Sequence, residues 1–333
     1  MYKVGQWGVV GGVYLLSCVP VPAADAPGFR DEVLAYWQAL ARQVRSYTVC
    51  CEWQYWHFQD DQSLKMTRKD ILRWVFARGG ALMETTITEE MDTNRPQETY
   101  ELVLNNPRYE ARLGRSSKTG KYVLFDYQLH ESAEKVSNVA SPLPWLMCAN
   151  VQLDRWLASP GLTNLRLERP SAGVIRLRFT CEEGQVASPG SEVPVTGIRS
   201  GYLDIEEGEP YRVLKYEFHR VTKFSRCVEV GTLEYAGQQE DFPILRKQVV
   251  DRQYTWSKFG VRGGREVISY DVSYNQAIPD EQFRLSHYGL PEPVGVEWER
   301  GTPVYVWLFL AAGVLGLLAL GLRWLAHRRR TTG

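Results

Sequence analysis

Apolar and polar positions alternate with a period of two along most of this chain, and a period near 3.6 shows in two stretches of its body. Phe29, Val33, Trp37, Leu40, Val44 and Tyr47 recur at helical spacing, while Arg30, Asp31, Gln38, Arg42 and Arg45 fall elsewhere on the wheel. The body therefore opens with an amphipathic helix that has one face to bury. The period then switches to two. YTVCCEWQYWHF is β-rich and aromatic on both faces, and DILRWVFA and ALMETTITE are joined by Gly79-Gly80, the strongest hairpin signal in the chain. ETYELVL, YEARL and KYVLFDYQL follow, cut by Asn105-Asn106-Pro107 and by SSKTG. PWLMCANVQLDRWLA predicts a second helix, ended by Pro160-Gly161. In VIRLRFTC, Ile175, Leu177, Phe179 and Cys181 alternate with Arg176, Arg178 and Thr180, giving one dry face and one basic, wet face. A Gly-, Ser- and Pro-bearing loop runs from Glu182 to Val195. YRVLKYEFH, VEVGTLEY, ILRKQVVDRQYTW and REVISYDVSY complete the series, the last pair turning at GVRGG. About twelve strands at regular spacing predict one large antiparallel sheet rather than βαβ units.

The two ends break this pattern. Residues 304–322 carry no charge, and nineteen helical residues span about 28 Å, close to the roughly 30 Å of a bilayer core. Arginines crowd its far side, so the positive-inside rule predicts a cytoplasmic tail. Trp307, Arg323, Trp324, Arg328, Arg329 and Arg330 are the expected membrane-anchor residues. At the other end, Lys3, the apolar stretch Val9–Val19 and VPVPAADA predict a cleaved signal peptide. The boundaries are a signal peptide over 1–24, an extracytoplasmic α+β domain over 25–290, and a Pro/Glu-containing stalk over 291–303. A transmembrane helix over 304–325 and a basic cytoplasmic tail over 326–333 complete them. The expected localisation is a single-pass cell-membrane protein with its bulk extracytoplasmic, that is, periplasmic.

Composition narrows the function classes. Lys+Arg and Asp+Glu are both 39, and a balanced chain without a basic excess is not a nucleic-acid binder. After removal of the leader, Cys50, Cys51, Cys148, Cys181 and Cys227 remain, an odd number with no metal-finger spacing. Buried free thiols are the default. Cys50 and Cys51 are strand neighbours, face opposite sides and do not pair with each other.

The order of elements resembles the lipoprotein-carrier superfamily, the LolA-like fold. The resemblance covers about residues 28–287 and rests on the leading helix FRDEVLAYWQALARQVRSYTV, its run into an aromatic strand, and the closing AIPDEQFRL with Phe283. It implies an α+β fold: a curved antiparallel half-barrel covered by two helices, to which the sequence adds one C-terminal transmembrane helix. It also implies a concave surface that holds acyl chains. Pro291-Glu292-Pro293, the apolar span and Arg328–Arg330 resemble the C-terminal sorting signal of exosortase substrates, although GVEWERGT separates the parts here. A proline-stiffened stalk is the competing reading.

Catalytic motifs are missing: no HExxH, GxSxG, Walker loop or dinucleotide fingerprint occurs. His57, His130, His219 and His287 are far apart in sequence, and Asp60-Asp61 and Glu206-Glu207 fall in polar turns. No cofactor and no metal are expected. Trp53, Trp56, Trp74 and Phe76 are the candidate ligand-groove residues, since aromatic surface suits apolar guests; core packing against the first helix competes with that role. The leading expectation is a non-enzymatic, membrane-anchored domain binding a lipid, acyl chain or lipoprotein in an apolar cleft. The alternative is a structural or protein-interaction ectodomain of the cell envelope, docking partners on a sheet edge. An unrecognised hydrolase is the third.

Overall fold

A computed structural model describes residues 26–59, 63–77, 80–90, 99–116, 119–130, 143–148, 151–181, 197–221, 225–256, 260–296, 298 and 311–319. Residues up to Pro291 form one compact unit and Glu292–Gly333 a second.

The first unit begins with helix α1 (Ala26–Gln43). It stops short of Tyr47, which instead opens strand β1 (Tyr47–Phe58). Antiparallel strands then follow in chain order: β2 (Leu64–Ala77), β3 (Gly80–Glu90), β4 (Thr99–Asn105), β5 (Tyr109–Arg115) and β6 (Tyr122–Leu129). After the small hairpin β7 (Met147–Cys148) and β8 (Val151–Gln152) and the short helix α2 (Leu153–Leu157) come β9 (Leu162–Ser171), β10 (Val174–Cys181) and β11 (Ile198–Glu206). β12 (Val213–Val221), β13 (Ser225–Gln239), β14 (Phe242–Trp256) and β15 (Gly260–Tyr274) complete the set. Thirteen of these form one sheet in the order β6-β5-β4-β3-β2-β1-β15-β14-β13-β12-β11-β10-β9. The chain meanders outward from β1 to one edge, then returns from the other edge to close on β1 with β15. The sheet does not close on itself; β6 and β9 are its edges.

That topology dictates the cover. Leaving β6, the chain must cross the whole sheet to begin β9. Its described part packs on the face that carries Tyr47, Val49 and Val272. There Leu143, Trp145, Leu146, Cys148, Val151, Leu153, Trp156 and Leu157 are buried in one core with Val33, Trp37 and Leu40 of α1. Trp156 meets Phe179 edge-on at 4.5 Å, and the Trp37 indole donates to the Tyr211 carbonyl at 3.1 Å.

A second core lies on the opposite face of β2–β6. By register Val75, Leu82, Leu104 and Ala111 share that face, as do Leu102 and Leu113. The two 3-10 turns Asp280–Phe283 and Leu285–Tyr288 cap it, with Phe283 and Leu285 fully buried. A Cβ on Gly80 would lie 2.4 Å from the Asn105 carbonyl oxygen and 2.9 Å from the Phe283 ring, so only glycine fits under this cap.

Three expectations are corrected. First, the second helix over PWLMCANVQLDRWLA is a 3-10 turn (Pro144–Leu146), the β7–β8 hairpin and the five residues of α2. Its buried side chains, from Trp145 to Leu157, would fan over about two thirds of a helical wheel, too wide for one buried stripe. Second, the fold class changes accordingly. The chain is an open thirteen-stranded antiparallel sheet with one long covering helix, not a half-barrel under two helices with a membrane span. Third, among the described residues no helix is long and apolar enough to cross a membrane. Of the expected span only residues 311–319 are described, a helical stretch of about 14 Å against a core of roughly 30 Å. This overturns the single-pass membrane topology, with the signal-peptide reading and the localisation that accompanied it. The leader 1–24 and the anchor residues Trp307, Arg323, Trp324, Arg328, Arg329 and Arg330 lie outside the described residues.

Candidate functional site

The α1-side core stops part-way along the long strands, and side chains beyond it on the same face are exposed to a cleft. Register fixes who meets whom. On this face Trp53, Ile268 and Gln248 form one row across β1, β15 and β14; Tyr55, Glu266 and Val250 form the next; His57, Gly264 and Arg252 form the third. Arg262 and Tyr254 follow, then Trp256. The row sequence runs from apolar, through charged, to aromatic.

Charged side chains of the second and third rows join others on β12 and β13 in one network. Arg252 Nε donates to Glu229 Oε2 at 2.9 Å, its other arm bonds Glu266, and Arg220 approaches Glu229 at 3.6 Å. The Tyr216 hydroxyl donates to Glu229 Oε1 at 3.4 Å and receives Gln248 Nε2 at 3.2 Å, while Tyr270 donates to Gln248 Oε1 at 3.0 Å. Tyr216 reaches these partners by lying across Gly231, where a Cβ would come within 2.1 Å of its ring. Burial of Arg252 works against its charge, but the Glu229 carboxylate overrides this and raises its pKa. Burial pushes the Tyr216 and Tyr270 hydroxyls well above their ordinary range. Two arginines thus balance two glutamates, so the network adds no net charge to the cleft. It separates the core from what lies beyond.

Beyond it opens a cavity of about 460 Å³ lined by Tyr55, Trp56, His57, Arg252, Tyr254, Trp256, Arg262 and Glu266, with Gly263 and Gly264 in the wall. Burial, with Asp70 adding to it, raises the Tyr55 hydroxyl to about 12. The glycine pair was expected as a turn, GVRGG. It is instead the start of β15, paired residue by residue with β14. Adjacent glycines inside a strand mark a place where something else approaches the backbone. At Gly263 that is the Phe58 ring, 2.6 Å from where a Cβ would sit. At Gly264, on the cleft side, a Cβ would meet only the Trp56 carbonyl oxygen at 3.1 Å, so this floor is bare.

The structure divides the four expected groove residues. Trp53 and Trp74 line a cavity of about 40 Å³ beneath Pro144 and Met147. Trp56 borders the 460 Å³ cleft. Phe76 stacks on Tyr47 at 5.3 Å within the α1-side packing. Tyr55, Tyr254, Trp256 and Arg262 carry no groove signal in the sequence, His57 reads there as a lone histidine and Gly264 as part of a turn; the doubled glycine beside arginines is the available signal.

The histidines stay apart: His57 is in the cleft, His219 pairs with Glu217 at 2.7 Å, His130 meets Asn105 at 3.3 Å, and His287 packs on Tyr288. Glu206 pairs with Arg212 and Glu207 with Arg169, each at 2.5 Å; Asp60-Asp61 lie outside the described residues. Cys50, Cys51, Cys148, Cys181 and Cys227 are free thiols. Among the described residues no group of three or more His, Cys, Asp or Glu side chains could hold a metal ion.

No protein-family model matches the chain, and no curated protein matches it in sequence. Among solved structures it is similar to a DUF1329 family protein from Desulfovibrio piger ATCC 29098, at 10% identity and a TM-score of 0.39, covering 79% of this chain and 98% of that one. It also matches MucB in complex with MucA(peri), at 11% identity and a TM-score of 0.09, covering 74% of this chain and 100% of that one. At these values neither likeness assigns the chain a family or an activity.

Proposed function

We propose that this chain is a non-enzymatic binding protein whose ligand carries an apolar chain, a lipid or acyl group, seated in the aromatic cleft beyond the Glu229–Arg252–Glu266 network. The observation that supports it most is the cleft itself. Its volume of about 460 Å³ lies in the range of small-molecule sites, roughly 300–1,000 Å³, and such sites are mostly apolar with few polar groups. Tyr55, Tyr254 and Trp256 give it aromatic walls, and Gly264 leaves the floor open. Native mass spectrometry of the gently purified chain tests this. Co-purifying mass of lipid size, displaced by an added twelve-carbon amphiphile, is expected. A chain that carries none and takes up none would end this reading.

A separate observation favours a second reading, a protein-docking role at the β6 edge. The other edge, β9, carries Arg166, Glu168, Arg169 and Pro170, the residues that discourage strand addition. β6 has the single charge Asp126, and Phe125 is 68% exposed. Crosslinking through β6 to another protein, with no extractable lipid, would favour this role over the first.

A further inference from the structure

The charges around the cleft are not equivalent. Arg252 is held by Glu229 and Glu266. Arg265 is bound bidentately by Asp251, at 2.6 and 3.0 Å. Arg262, exposed in the cleft wall, has no ion pair among the described residues. It stands two residues beyond Gly264 on the same strand face, about 7 Å away at the ordinary rise of a strand. Tyr254 is its partner on β14. His57 and Arg252 flank Gly264 on either side, one strand away in each direction. The bare glycine is thus the bottom of a slot about 10 Å wide, two strand spacings. The slot has aromatic rings along it and, between the glycine row and Trp256, one guanidinium with no ion pair among the described residues.

We infer that the cleft selects amphiphiles with an anionic head, a carboxylate or a phosphate monoester. The head is held by Arg262, and the hydrocarbon chain runs inward over Gly264 against Tyr254 and Tyr55. This rests on the apolar-ligand reading above and adds the head-group chemistry. A guanidinium suits both anions because its fork of donors matches their paired oxygens. A neutral or cationic head would leave Arg262 uncompensated beside the aromatic wall.

The test uses the full chain and four probes below their aggregation concentrations: laurate, dodecyl phosphate, dodecanol and inorganic phosphate. Binding is followed by tryptophan fluorescence in the wild type, in Arg262→Gln and in Gly264→Val. Laurate or dodecyl phosphate should bind at least about ten-fold tighter than dodecanol, a difference of about 1.4 kcal/mol. That preference should fall below about three-fold in R262Q, with dodecanol affinity unchanged, and G264V should lose every amphiphile. Which anion leads tells a fatty acid from an alkyl phosphate monoester; either lead supports the inference. Equal binding of laurate and dodecanol, or a preference that survives R262Q, overturns the head-group assignment and leaves the apolar cleft standing. Inorganic phosphate binding as tightly as dodecyl phosphate overturns it as well, since the chain then contributes nothing. No binding by any probe ends the apolar-cleft reading itself.

Discussion

Asn106 and Phe283 stand 177 positions apart, yet the Asn106 amide Nδ2 donates to the Phe283 carbonyl at 2.7 Å, in full burial. The same amide's Oδ1 accepts from the Arg108 and Tyr109 backbone N–H groups, and the Tyr109 hydroxyl accepts from the Leu285 N–H at 2.8 Å. One side chain therefore shapes the β4–β5 turn and ties the C-terminal cap onto it. The second core, on the face opposite α1, depends on that tie.

Asn106→Ala should destabilise the chain by about 2–4 kcal/mol, because it leaves several buried backbone groups without partners and each costs roughly 1–3 kcal/mol. Asn106→Asp keeps the acceptor but sets a buried carboxylate against the Phe283 carbonyl oxygen, so at pH 7 its cost should be at least as large, and it should shrink as falling pH protonates the new carboxyl. Urea unfolding followed by tryptophan fluorescence measures both. A loss under about 0.5 kcal/mol for the alanine variant would mean the cap is held by Phe283 and Leu285 packing alone.

The Glu229–Arg252 pair should show the asymmetry of buried ions. Glu229 is 2% exposed, and Glu229→Leu alone leaves Glu266 facing two buried arginines, an excess positive charge that should cost about 3–5 kcal/mol. Glu229→Leu combined with Arg252→Met should recover most of that loss. A double-mutant cycle in urea reads the difference. If the two single losses simply add, the pair is not coupled and the network does not separate core from cleft as described.

Much of the sheet was legible in local pattern. The Gly79-Gly80 signal marks the passage from β2 to β3, although Gly80 itself belongs to β3 and pairs with Ala77. In β10, Ile175, Leu177, Phe179 and Cys181 are buried while Arg176, Arg178 and Thr180 are not, as the alternation predicts. Val33, Trp37 and Leu40 form the buried stripe of α1. What failed depends on distant pairing. Consecutive glycines read as a turn in GVRGG because a turn and a bare strand need the same residue; only the match of Gly264 to Arg252 and His57 distinguishes them. PWLMCANVQLDRWLA reads as a helix because Pro160-Gly161 supplies a helix stop after it. Its true conformation follows from having to cross the sheet between β6 and β9. The C-terminal run reads as a span from its length, its lack of charge and the arginines beyond it, whereas the described helix, residues 311–319, is too short to cross. For the candidate groove, alternation puts Trp53, Tyr55 and His57 on one face and Trp56 on the other, but no local signal says which face the cover leaves open.

Alkaline pH should begin to weaken the fold near the ordinary thiol value of about 9, below the ordinary tyrosine value of 10. Burial raises the Cys51 thiol to about 12, with its neighbour Cys50 adding to the effect, and burial raises Cys181 to about 11. A raised folded-state pKa means that the unfolded chain releases its proton first. The stability these buried thiols contribute is therefore complete below about pH 9, the ordinary thiol value, and is lost as pH climbs through the folded values. Urea midpoints should fall progressively between pH 9 and 12, and the Cys51→Ala, Cys181→Ala double variant should show a shallower fall. A midpoint independent of pH over that window would show that these thiols are not desolvated.

Core and cleft occupy different stretches of one sheet face, so stability and ligand uptake should come apart on mutation. Trp37 is 1% exposed, packs beneath α1 and donates its indole N–H to the Tyr211 carbonyl. Trp37→Phe loses that hydrogen bond and some volume, and should cost about 1–3 kcal/mol while amphiphile binding at 25 °C stays within about two-fold. Gly264→Val does the reverse. A Cβ there meets one backbone oxygen at 3.1 Å, a β-branched residue suits a strand, and the change in stability should stay within about 1 kcal/mol. Its side chain would nevertheless fill the slot between His57 and Arg252 and abolish uptake. Thermal melts and laurate titrations on the same two variants measure the separation. If Trp37→Phe weakens binding as much as it weakens the fold, the cleft is not an independent feature of the sheet but depends on the helix that covers the core.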